Sequence, residues 1–261
     1  MNVAHVVDGP VARPVLVLSS SLGTTWELWD AQLVELARHF RVLRYDHPGH
    51  GRSEAPPGPI TIEALAGGLV ELLDRLELER VSFCGLSLGG MVGMALALEA
   101  PERVDRLVLC CTAAYLGPAE GWHDRARLVR AGGTAAIAER VLERWFTERL
   151  RTERPAVVSR FREMLQATPR EGYAACCEAI ASWDARTSLG AIRAPTLVIA
   201  GEEDVATPPD DAVFLEGAIP GAGLVVLPGA AHLANVEQPE LFNRALLGHF
   251  FAPSSSEEVA A

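Results

Sequence analysis

The sequence predicts an α/β fold, a mostly parallel central sheet flanked by helices and carrying a helical insertion. Short apolar, β-rich runs alternate with longer amphipathic segments, the pattern of strand–helix–strand units. That alternation stops between about Leu116 and Arg186, where no convincing strand occurs. The chain of 261 residues is long enough to bury a large core, and its 49% hydrophobic and 22% charged content is ordinary for a globular protein.

In order, the predicted strands are 15–18, 42–45, 81–84, 107–111, 196–200 and 224–227. Between them, 61–78 places Ile62, Leu65, Leu69, Leu72, Leu73 and Leu76 on one helical face. Segments 30–38 and 91–99 read as helices too, the second closed by Pro101. Within the insertion, 135–146 and 155–166 have helical periodicity. The expected division is a first core part at 1–115, a helical lid at 116–186, a second core part at 187–252 and a disordered tail at 253–261.

Composition narrows the function classes. The net charge of −11 argues against nucleic acid as a partner. Apolar runs are too short to span a bilayer, and the N-terminus lacks the pattern of a secretory signal, so a cytoplasmic protein is expected. Five cysteines without a CxxC pair read as buried free thiols. Every basic residue is Arg, and the insertion holds 12 Arg against 10 Asp and Glu, while the remainder holds 11 against 24. No His/Cys/Asp cluster has metal-ligand spacing and no GxGxxG follows the first strand, so neither metal nor cofactor is implied.

The chemistry centres on Gly85-Leu86-Ser87-Leu88-Gly89, between strand 81–84 and a helix. This is the strand–turn–helix setting of a G-x-S-x-G nucleophile elbow, in which small flanking residues let strand and helix approach and the serine sits at a helix N-terminus. Ser87 then needs a base and an orienting acid. Strand 196–200 leads into Glu202, Glu203 and Asp204, of which Asp204 is preferred because the loop turns there before Pro208-Pro209. Strand 224–227 leads into His232 as the base; His50, the main rival, precedes the serine in a turn-rich loop and reads as structural. The oxyanion hole is expected from the backbone N–H groups of Leu88 and Leu22.

On these residues the chain resembles the α/β-hydrolases over nearly its whole length, and within them the 3-oxoadipate enol-lactonases of bacterial aromatic catabolism. The resemblance rests on LSSSLGTT at 18–25, FRVLRYD at 40–46, FCGLSLGGMVG at 83–93 and RVLERWFT at 140–147. It continues through EGYAACC at 171–177, APTLVIAG at 194–201 and AHLANVEQP at 231–239. Two departures stand out: Asp46-His47-Pro48-Gly49-His50-Gly51 replaces the family's Asp-x-Arg-Gly-His-Gly, and the N-terminus is about one strand short, so the sheet is expected to lose its first edge strand.

The resemblance implies a small anionic lactone as substrate, a five-membered enol-lactone bearing a carboxymethyl group, opened through an acyl-enzyme on Ser87. A carboxylate approaching a protein of net charge −11 needs a local positive site, and the insertion is the region with a positive balance. Arg130, before the pair Gly132-Gly133, is the expected carboxylate partner, and Trp145 the flat wall for the ring. Ordinary helix-surface pairing of Arg140 and Arg144 with Glu139 and Glu143 is the alternative reading of the charge. Rival functions are a broader carboxylesterase, a cofactor-free perhydrolase, and a ligand receptor built on a hydrolase fold. The sequence does not fix an oligomeric state.

Overall fold

The computed structural model describes residues 3–55 and 58–252, so the expected tail at 253–261 lies outside the described residues. Seven strands form one sheet among them: β1 His5–Asp8, β2 Val15–Ser19, β3 Arg41–Tyr45, β4 Val81–Leu86, β5 Val104–Cys110, β6 Thr196–Gly201 and β7 Gly223–Leu227. Their order across the sheet is β1-β3-β2-β4-β5-β6-β7, and only the edge pair β1/β3 is antiparallel. The central strands are covered on both faces, which is why they read as continuous apolar runs. Strand β4 is buried at all six positions. Strand β1 is exposed or half-buried throughout, so it left no apolar signal and no strand was expected at 5–8.

The core helices are α1 Asp30–Leu36, α2 Ile62–Arg75 and α3 Leu88–Glu99. Helix α2 starts where the Thr61 hydroxyl accepts the Ala64 N–H at 3.1 Å, a side-chain N-cap, and it buries Ile62, Leu65, Leu69, Leu72 and Leu73. Helix α3 is buried from Leu88 to Ala97, because it crosses the middle of the sheet.

The insertion is helical, as its sequence predicts: α4 Ala119–Gly132, α5 Ala138–Trp145, α6 Glu148–Glu153, α7 Pro155–Ala167 and α8 Arg170–Ser182. Its neck is closed where Tyr115 bridges Asp184 and the Ala185 N–H donates to the Ala114 carbonyl at 2.9 Å. The chain then returns to the core through α9 Pro209–Ala218, α10 Ala234–Glu237 and α11 Pro239–Phe250. Strands β4, β5, β6 and β7 run parallel and adjacent, so the loops after them open side by side at one end of the sheet, where ligands bind in open α/β folds. No helix among the described residues is long and apolar enough to cross a membrane.

Candidate active site

Ser87 occupies the turn between β4 and α3 with φ 57° and ψ −112°, a conformation that costs a non-glycine residue about 1–3 kcal/mol. The surroundings hold it there. Its N–H donates to the Cys110 carbonyl at 2.9 Å, and its carbonyl accepts the Thr112 hydroxyl at 2.7 Å. The glycines on either side answer to contact: a Cβ at Gly85 would lie 2.1 Å from the Gly89 carbonyl oxygen, and one at Gly89 2.2 Å from that of Ser19.

Asp204 follows β6 and His232 follows β7, both almost fully buried. The His232 Nδ1 lies 2.8 Å from Asp204 Oδ2, a contact in which Nε2 takes no part. Asp204 is fixed on its other side. Its Oδ1 accepts the N–H groups of Ala206 (2.7 Å) and Thr207 (3.1 Å), and its Oδ2 accepts the Thr207 hydroxyl at 2.7 Å. Burial pushes this carboxyl up, but the facing His232 and the hydrogen bonds from His232 and Thr207 outweigh burial and hold it below its ordinary range. The rivals are elsewhere: Glu202 and Glu203 are exposed, and Glu202 accepts the Gly229 N–H at 3.1 Å.

Leu22 and Leu88 are buried at the mouth of the elbow, and among the described residues neither N–H is given to a protein acceptor. The loop that carries Leu22 is held by two buried histidines. His50 Nε2 accepts the Gly23 N–H at 3.0 Å, and His47 Nε2 lies 2.9 Å from the Ser20 carbonyl. Burial lowers His47 to about 3 and His50 to about 4, so both rings are neutral and serve as hydrogen-bonding struts. The loop 46–51 that departs from the family pattern supplies both struts.

A third strut joins the helical insertion to the loop of His232. Glu237 accepts the Thr147 hydroxyl at 2.7 Å and the Thr147 N–H at 3.1 Å on Oε1, and the Ala231 N–H at 2.5 Å on Oε2. Two residues beyond Ala231, Leu233 donates its N–H to the Trp145 carbonyl at 3.0 Å. His232 therefore sits between one direct backbone contact to the insertion and one relayed through the Glu237 carboxylate. Nothing in the spacing around Glu237 announces this role, and Thr207 was equally unmarked, although an Asp followed by turn residues is the usual setting for such bonds.

A cavity of about 50 Å³ adjoins His232, lined by Leu22, Trp122, Arg125, Trp145 and Thr207 among others. Trp145 is among the lining residues. Arg130 is not: it reaches Glu171 at 3.0 Å and Glu178 at 2.5 Å on α8, which corrects the expectation for it. Arg125 is there instead. It donates to the buried Tyr173 hydroxyl, its guanidinium lies 5.1 Å from the Trp122 ring centroid, and its Nε is buried without a partner.

All five cysteines are free and buried, and burial pushes the thiols of Cys110, Cys111, Cys176 and Cys177 up, away from nucleophilic thiolate. No group of three His, Cys, Asp or Glu suited to a metal occurs among the described residues.

A family model for the alpha/beta hydrolase fold matches residues 14–239. The chain belongs to that family. It is also 41% identical to 3-oxoadipate enol-lactonase 2 of Acinetobacter baylyi over 242 residues, 93% of this chain and 90% of that protein. Among solved structures, the enol-lactonase from Burkholderia xenovorans LB400 superposes with a TM-score of 0.94 at 42% identity, covering 96% of each chain. A hydrolase from Pseudomonas aeruginosa PA01 superposes at 0.93 with 48% identity, over 96% of this chain and 94% of its own. The α/β-hydrolase described here is thus an enzyme of the hydrolase class, and its relatives include lactonases of full length.

Proposed function

We propose that this hydrolase opens the enol-lactone of 3-oxoadipate through an acyl-enzyme on Ser87. The observation that carries the reading is Arg125, a guanidinium with no carboxylate partner in the same cavity as His232 and Trp145. A neutral ester would leave that cation unpaired, whereas a lactone with a carboxymethyl arm neutralises it. The lactonase relatives at 41% and 42% identity support the same substrate class.

In this reading the Ser87 Oγ bonds to the lactone carbonyl carbon as its proton passes to His232 Nε2, and Asp204 steadies the resulting imidazolium. The N–H groups of Leu22 and Leu88 receive the oxyanion. Collapse breaks the ring C–O bond and releases an enolate, a better leaving group than an alkoxide, which takes up a proton and becomes the ketone. Water, deprotonated by His232, then attacks the acyl-enzyme, frees Ser87 and gives 3-oxoadipate. Cytoplasmic action in aromatic catabolism follows from this assignment.

The test compares turnover of the enol-lactone with that of p-nitrophenyl acetate. A kcat/KM for the enol-lactone higher by orders of magnitude supports the lactonase, and a preference for the neutral ester supports the broader carboxylesterase. Slow turnover of both, on the order of one event per minute against the ~1–10³ s⁻¹ typical of enzymes, would indicate a receptor.

A further inference from the structure

Beside the cavity at His232 lies a second, larger one of about 460 Å³ between α4 and α5. Arg140 belongs to the outer cavity alone, while Trp122, Arg125, Val141 and Arg144 line both, so the two meet at a shared wall. Among the described residues no carboxylate lies within ion-pairing distance of Arg125, Arg140 or Arg144. The adjacent Glu139 is taken by Arg162 at 2.9 Å, and the acid in the outer lining, Asp124, is taken by Arg127. By contrast Arg130, Arg160 and Arg186 hold Glu178, Asp30 and Asp184. Among the described residues Arg149, Arg151, Arg154 and Arg170 of the insertion carry no carboxylate partner either, but Arg125, Arg140 and Arg144 are the three that share a cavity wall.

We propose that this outer cavity is a docking site for small carboxylates, separate from the catalytic cavity and feeding it. The inference rests on the substrate being an anion, as proposed above. A protein of net charge −11 repels such a substrate at long range, and converging guanidiniums reverse the potential locally. Leu128, Ile137 and Val141 give the same cavity an apolar side, matching a molecule with one charged arm and one apolar ring. An anion moving inward is passed from Arg140 to Arg144 and then to Arg125 without leaving positive potential.

The test uses adipate, a small dicarboxylate, titrated calorimetrically into the wild-type enzyme and into Arg140→Gln, Arg140→Lys and Arg170→Gln, the last an exposed arginine outside both cavities. Adipate is expected to bind at low ionic strength, and Arg140→Gln to weaken it roughly two- to fivefold, the scale of an exposed charge pair. Arg140→Lys should hold most of the affinity, Arg170→Gln nearly all of it, and added salt should weaken the wild type more than Arg140→Gln. In kinetics, Arg140→Gln should raise KM for the lactone at constant kcat and lower the ratio of lactone to neutral-ester activity. Absent adipate binding, or equal affinity in wild type and Arg140→Gln, would overturn the docking site. If the lactone is not turned over while adipate binding keeps its dependence on Arg140, the proposed activity falls and the docking site stands.

Discussion

Gly49 and Gly172 meet backbone to backbone: a Cβ on Gly49 would lie 2.3 Å from the Gly172 Cα, and one on Gly172 would lie 2.2 Å from the Gly49 carbonyl oxygen. The contact seats the first turn of α8 on the loop that carries His50, and His50 in turn holds Gly23 beside Leu22. The helical insertion and the loop of Leu22 are therefore one packed unit. Gly172→Ala is expected to force them apart, at about 1–3 kcal/mol of overpacking. Thermal denaturation should show a lowered Tm, and kcat/KM should fall. Gly217→Ala, in open space on helix α9, should do neither.

Ser87→Ala should abolish hydrolysis with little change in Tm, because the strained turn is imposed by its neighbours. Asp204→Asn should lower kcat severely, on the order of 10⁴ by analogy with the same change in other triads. Glu203→Gln should leave kcat nearly intact, since that side chain is exposed. Equal losses in the two carboxylate variants would reassign the acid.

Glu237→Gln removes an acceptor that three donors share. A carboxamide can still accept from Thr147, but its NH₂ then faces the Ala231 N–H, donor against donor. An unsatisfied buried group costs about 1–3 kcal/mol. The expected result is lower stability together with a lower kcat, because Ala231 adjoins His232. Denaturant unfolding and steady-state kinetics on the same preparation check both.

Two buried histidines and one half-buried one, His249, make stability depend on pH. Burial lowers His47 to about 3, and His50 and His249 to about 4. In the unfolded chain each ring returns to its ordinary value near 6.5 and takes up a proton that the fold refuses. Stability is therefore present above about pH 6.5 and lost as pH falls from there toward 4, by up to about 1.4 kcal/mol per unit for each ring. Urea unfolding at intervals from pH 7 to pH 4.5 should show the decline, and a flat profile would mean that the rings protonate within the fold.

Much of this architecture is legible in the sequence because its signals are local. Strands buried on both faces, such as β4, are unbroken apolar runs, and the elbow is a spacing pattern between a strand and a helix. What escaped depends on contacts between distant segments. Strand β1 is only half-buried, so its pairing with β3, not its composition, makes it a strand. Asp204 stands out from its two acidic neighbours in the sequence, whereas the Thr207 hydroxyl that fixes it, a local turn contact, carries no pattern of its own. Arg130 looked available because its partners Glu171 and Glu178 lie 41 and 48 residues away, on a helix that packs along α4.

That misreading yields the sharpest test of substrate recognition. Arg125 and Arg130 stand on the same helix, and only Arg125 faces the cavity of His232. If Arg125 binds the lactone carboxylate, Arg125→Ala removes a charge-assisted bond worth about 1.5–3 kcal/mol. That corresponds to roughly 10- to 150-fold in kcat/KM for the enol-lactone. A small neutral ester has no group for this cation, so its rate should fall far less and the ratio of the two activities should collapse. Arg130→Ala breaks exposed pairs with Glu171 and Glu178, so it should cost at most a little stability and leave that ratio unchanged. Parallel losses on both substrates in Arg125→Ala would assign Arg125 to packing against Tyr173 and Trp122 and would remove the carboxylate from this cavity.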